Sequence, residues 1–165
     1  GAALEPLVRT LQLGQLLARP DTRTLAQQWM MEHVPAGSQV ALRQRYPHAR
    51  PDPFAHFGLT ELERLVTLET LRAKHESFYA LVDEFPPLPQ LSPVLPGRLQ
   101  RFLAEHGTVV ATFDPRSEPS APGWGSAVYD GGERNFVPVA GFDSVAHTGP
   151  RLTVYSIAGE AKEKQ

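Results

Sequence analysis

Residues 21–42 read DTRTLAQQWMMEHVPAGSQVAL. An acidic and hydroxyl cluster leads into an apolar stripe, then a Pro-Ala-Gly-Ser turn, then a short strand-like run. Pro20 ends whatever precedes it, and Asp21 or Thr22 is placed to accept hydrogen bonds from the free N–H groups of a new helix. Leu25, Ala26, Trp29, Met30 and Val34 fall on one broad face of that helix. Pro35 and Gly37 stop it, and Val40 and Leu42 open a strand. A capped helix handed directly to a strand is the repeating step of an α/β fold.

Working outward, residues 4–19 predict a modest helix with Leu7, Leu11 and Leu16 apolar and Gly14 weakening it. After the first strand, RQRYPHARPDPF is a polar loop. Thr60 and Glu63 form a capping-box pattern that predicts a helix to about Lys74. SFYALV, residues 77–82, is a continuous apolar run suited to a strand covered on both faces. Five prolines within residues 86–96 make a stiff crossover. A short helix then carries Leu99, Phe102, Leu103 and His106 and stops at Gly107, before the strand TVVATF at 108–113. Residues 115–135 are rich in Pro, Gly and Ser and predict a long loop or insertion, with a tight turn of a small hairpin at Tyr129-Asp130-Gly131-Gly132. Leu152–Ile157 is the last strand.

The expected architecture is therefore α/β: a three-layer helix-sheet-helix domain with a small, mostly parallel sheet. The last strand, reached by a loop rather than a helix, is expected to lie antiparallel at an edge. Residues 1–20 form a helical lead, 21–157 a single domain, and 158–165 a frayed tail.

At 165 residues and 18.2 kDa the chain can bury roughly 70% of its unfolded surface. With 41% hydrophobic and 21% charged residues it is globular rather than disordered. A net charge of −2 and a pI near 6.3 argue against a nucleic-acid partner. No cysteine is present, so disulfides and thiolate metal sites are excluded. The longest apolar run, Phe78–Val82, falls far short of the ~20 residues of a membrane helix. The opening Gly1-Ala2 fits a remnant, so the chain is expected to be a piece of a longer polypeptide.

Chemistry is sparse. The six histidines show no metal-binding spacing, GWGS at 123–126 lacks the lysine of a phosphate loop, and no nucleophile elbow occurs. Ligands of α/β sheets bind beyond the carboxyl ends of the strands. Those ends carry Arg43, Gln44, Arg45 and Tyr46, then Asp83 and Glu84, then Asp114. One reading is a polar pocket for a sugar or sugar phosphate; the other is ordinary solvated loop. The same arginines, with Arg50, suit anionic lipid head groups. A small hydrolase using Asp83 or Asp114 has no nucleophile–base pair to support it.

Two stretches carry a resemblance. Asp21, Thr22, Arg23, Ala26, Trp29, Pro35, Gly37 and Ser38 are similar to the Asp-Thr-Arg…Ala…Trp…Pro-x-Gly-Ser opening of a soluble domain in polytopic membrane glycosyltransferases. These are of the dolichyl-phosphate-mannose protein mannosyltransferase type, and more distantly of the bacterial lipid A aminoarabinose transferase type. FVPVAGFDSVAHTGPRLTVYSI, at 136–157, resembles the closing segment of that domain, and PGRLQRFLAEHGTVVATFDP the helix and strand before it. His147-Thr148 departs from the Arg-Pro usual before Gly149-Pro150.

The resemblance implies an extracytoplasmic, periplasmic domain of a bacterial inner-membrane protein that transfers sugar from a polyprenyl-phosphate carrier. The catalytic acid belongs to a missing loop among the membrane helices, so no catalytic residue and no cofactor are expected here. Whether the parent enzyme uses a divalent metal is open. The implied partners are the missing transmembrane region and an anionic lipid or glycan acceptor. Arg23 is then a candidate lipid-phosphate contact beside the structural cap of Asp21 and Thr22. The alternative is a free-standing α/β module that binds a sugar or nucleotide.

Overall fold

The computed structural model describes residues 4–42, 57–61, 65–84, 96–120, 123–130 and 136–160, with backbone alone at 58–61 and 65–67. The chain divides into two compact units. One holds Gly1–Ala26, Glu84–Pro93 and Phe113–Arg151; the other holds Gln27–Asp83, Val94–Thr112 and Leu152–Gln165.

The strands are β1 (Gln39–Leu42), β2 (Gly58–Glu61), β3 (Ser77–Glu84), β4 (Gly107–Phe113), β5 (Val128–Tyr129), β6 (Pro138–Ala140) and β7 (Arg151–Ala158). Five of them form a mixed sheet in the order β2-β1-β3-β7-β4, so the molecule is α/β. β1 runs parallel to both β2 and β3, with Ala41 opposite Thr60 on one side and Ala80 on the other. Strands alternate their side chains between faces. On one face Phe78, Ala80, Val82, Ala41 and Ile157 form a core with Leu68 and Leu71 of α3 (Leu65–Lys74) and Leu99, Phe102 and Leu103 of α4 (Gly97–His106). The intervening Leu81 is buried as well, which is why SFYALV needs no polar alternation.

Three expectations are corrected. β7 is an interior strand, and β2 and β4 are the edges. Leu152, Thr153, Val154 and Ile157 are all buried, and a strand apolar on both faces belongs between neighbours. β4 is the exposed one, with Val109 and Val110 open to solvent. Thr60 does not start a helix: it lies in β2, whose backbone pairs with β1 and satisfies groups that would otherwise be left unbonded. α3 begins only at Leu65, and Glu63 lies outside the described residues. Nor is the tail frayed from residue 158. Gly159 N–H donates to Glu76 O at 2.7 Å, Glu160 N–H donates to Arg72 O at 3.0 Å, and the Glu160 carboxylate meets Arg72 at 3.3 Å.

In the other unit, α1 (Leu4–Leu17) buries Leu16 but leaves Leu4, Leu7, Val8 and Leu11 exposed. Gly14 has open space where a Cβ would sit. Replacing it with alanine removes backbone entropy from the unfolded chain without a clash. Gly14→Ala should stabilise by about 0.5–1 kcal/mol, read as a raised midpoint in thermal unfolding. α2 (Thr22–His33) follows and spans the division between the units after Ala26, with Ala26, Met30 and Val34 buried along the predicted stripe. β5 and β6 pair antiparallel as a separate two-stranded sheet; the expected turn residues Gly131 and Gly132 lie outside the described residues.

Candidate functional site

Asp21 shows what its stretch does. Its carbonyl accepts the first helical bond, from Leu25 N–H, at 3.0 Å. Its Oδ1 accepts from Arg23 N–H at 2.8 Å, which caps the helix, and from Arg23 Nε at 2.7 Å. Oδ2 accepts from Arg23 Nη2 at 2.8 Å and from the Thr148 hydroxyl at 3.0 Å. A carboxylate offers about four lone-pair sites, and four donors fill them here. Thr22 is fully buried: its hydroxyl donates to Pro150 O at 2.7 Å and its N–H to Thr148 O at 2.9 Å. His147 Nδ1 lies 2.9 Å from Pro20 O. Residues 20–23 and 147–150, distant in sequence, are one hydrogen-bonded junction.

Gly149 makes the junction possible. Its φ is +101°, in the range that L side chains avoid, and a Cβ there would strike Thr22 Oγ1 and stand 2.6 Å from Asp21 Oδ1.

Asp114 repeats the device. Arg116 N–H donates to Oδ1 at 3.0 Å, Arg116 Nε to Oδ1 at 2.8 Å, and Arg116 Nη2 to Oδ2 at 2.6 Å. Arg151 Nε adds an ion pair at 3.4 Å, and Arg151 also meets Glu84 at 3.1 Å. Arg116 donates further to Pro119 O and Gly123 O at 2.7 and 2.6 Å, tying down the loop that follows. Burial alone would raise the Asp114 pKa. The hydrogen bonds and charge of Arg116, with the charge of Arg151, outweigh it and hold the carboxyl below its ordinary value. An acid held anionic with both oxygens engaged suits neither proton donation nor nucleophilic attack at neutral pH. The Asp-x-Arg spacing, present at 21–23 and again at 114–116, was the sequence signal for this second clasp.

Near it, Trp124 meets Tyr129 edge to face with ring centroids 6.1 Å apart, and Phe136 packs against Tyr129. The Tyr129 hydroxyl is buried and has no hydrogen-bond partner among the described residues. Burial, with the negative charge of Asp114, pushes its pKa up to about 12. Between pH 10 and pH 12 the unfolded chain gives up this proton while the folded chain keeps it, so stability should fall as pH rises across that window. Tyr129→Phe should remove the late phenolate step from an absorbance titration, flatten that fall, and stabilise at neutral pH by about 1 kcal/mol.

The other sequence candidates do not converge. Arg23 spends its fork on Asp21. Asp83 is 2% exposed at the end of β3. Arg43, Arg45, Tyr46 and Arg50 lie outside the described residues. Sequence reasoning missed Arg116, Thr148 and Arg151. It also missed a crevice of about 240 Å³ lined by Gln12, Gln15, Arg19, Ser117, Phe142 and Asp143 above Leu16 and Val145. A wider surface groove of about 620 Å³ lies along Arg72, Arg98, Arg101 and His106. Among the described residues no cluster of acids and histidines is arranged to hold a metal, and no helix is long and apolar enough to cross a membrane. No family model, no curated protein and no solved structure matches the chain.

Proposed function

We propose that this chain is the non-catalytic, extracytoplasmic domain of a membrane glycosyltransferase that moves a sugar from a polyprenyl-phosphate carrier to an acceptor. On this reading the sheet is mostly parallel and sandwiched between helices, and the domain covers the active site or helps select the acceptor. The observation that carries it is the junction of residues 20–23 with 147–150. The two stretches similar to the opening and closing motifs of that domain hydrogen-bond to each other, as parts of one device would. The apolar row Leu4, Leu7, Val8 and Leu11, left exposed on α1 at helical spacing, also supports it, because such a row suits a helix that continues toward lipid.

The test is cellular. In native membranes, an antiserum against this domain should detect a polypeptide much larger than 18.2 kDa that resists alkaline extraction. Protease added from outside spheroplasts should digest the epitope. A soluble product of the size of this chain alone would overturn the proposal.

A further inference from the structure

The crevice beside α1 shares no lining residue with the Asp21 or Asp114 clasp. Gln12, Gln15 and Arg19 succeed one another at helical spacing, so their polar ends line one wall. Ser117 and Asp143 form the opposite wall, Phe142 offers a half-buried ring, and buried Leu16 and Val145 make an apolar floor. That second wall is fixed before any ligand arrives. Ser117 N–H donates to Ser144 O at 2.9 Å, the Ser117 hydroxyl donates to Asp143 O at 2.9 Å, and Ala146 N–H donates to Pro115 O at 2.7 Å. Arg19 is steadied by one bond from Nη1 to Ala146 O at 3.1 Å. The Gln12 and Gln15 amides and the Asp143 carboxylate make no hydrogen bond or ion pair with any described residue.

We propose that this crevice binds a single neutral pyranose ring. Sugar hydroxyls donate and accept at once, and the walls supply both: two amides that do each, a guanidinium that donates and a carboxylate that accepts. The ring of Phe142 and the floor meet the apolar C–H face of a sugar. Arg19 and Asp143 line the same space without an ion pair between them, so the crevice carries no net charge, which disfavours a phosphate. At about 240 Å³ it lies below the roughly 300–1,000 Å³ of sites for drug-sized ligands, which excludes a nucleotide sugar. The proposal rests on the crevice alone and stands or falls independently of the parent enzyme.

The experiment is an NMR titration of the isotope-labelled chain with methyl α-D-mannopyranoside, methyl α-D-glucopyranoside and N-acetyl-D-glucosamine, with inorganic phosphate as the anionic control. At least one sugar should saturate with a Kd on the order of 1–10 mM, as the small number of contacting atoms dictates. The shifted signals should be those of residues 12–19 and 141–146 and the Gln12 and Gln15 side-chain amides. Asp143→Asn and Gln15→Ala, both at exposed positions, should each weaken binding about tenfold while the rest of the spectrum stays in place. A peptide bearing one O-linked hexose and an octyl glycoside extend the series; the tighter of the two tells whether a protein or a lipid presents the ring. No saturable shift with any sugar, shifts clustered elsewhere, or a response to phosphate alone would each overturn the assignment.

Discussion

Gly149→Ala should be among the most damaging single substitutions in this chain, lowering stability by about 3–5 kcal/mol. Two costs combine. The left-handed backbone of Gly149 is strained for alanine, at roughly 1–3 kcal/mol. The added methyl would also lie against Thr22 Oγ1 and 2.6 Å from Asp21 Oδ1, neither of which can retreat without losing its bonds to Pro150, Thr148 and Arg23. At about 2–4 °C per kcal/mol for a chain of this size, the midpoint of thermal unfolding should fall by about 10 °C. Gly149→Ala combined with Thr22→Ser separates the two costs, because serine keeps the hydroxyl and removes the methyl that holds it in one rotamer. If strain alone matters, the double variant gains nothing. A single Gly149→Ala protein as stable as its parent would show that residues 147–150 do not close on 20–23.

The sequence made the helices and the interior strands legible for physical reasons that belong to particular residues. Ala26, Met30 and Val34 repeat at helical spacing and are buried. Leu99, Phe102 and Leu103 do the same on α4. From Phe78 to Val82 the SFYALV stretch has no charged residue to turn outward, so it had to be covered. What could not be read depended on pairing between distant segments. LTVYSI looks like TVVATF by composition, yet the first is interior and the second is an edge, because strand order is set by how crossovers pack and not by any one strand. Thr60 and Glu63 match a capping box, but the backbone of β1 needed a neighbour, and tertiary pairing overrode the local preference. At the candidate site the reading of Asp21 as a cap came from its position after Pro20. Its Thr148 bond, like the Arg151 pairing of Asp114, joins residues that no local pattern relates.

The second clasp makes the other large prediction. Arg116→Ala should cost about 3–5 kcal/mol, because it leaves the Asp114 carboxylate buried with only Arg151 near it. It also releases the carbonyls of Pro119 and Gly123. Arg116→Lys should recover less than half of this, since an ammonium supplies charge but cannot reach both carboxylate oxygens as a planar fork does. The pH dependence distinguishes an electrostatic clasp from mere packing. The Asp114 carboxyl titrates below its ordinary value of 3.8 in the folded protein. In the window just below that value the unfolded chain binds the proton and the folded chain does not, so the clasp adds stability that is fully present above about pH 4 and is lost as pH falls through the lowered value. Asp114→Asn and Arg116→Ala should therefore both flatten the stability profile below about pH 4 relative to the parent. Equal acid slopes in all three proteins would mean that the carboxylate carries no net favourable charge interaction, and that Arg116 holds its loop through Pro119 and Gly123 alone.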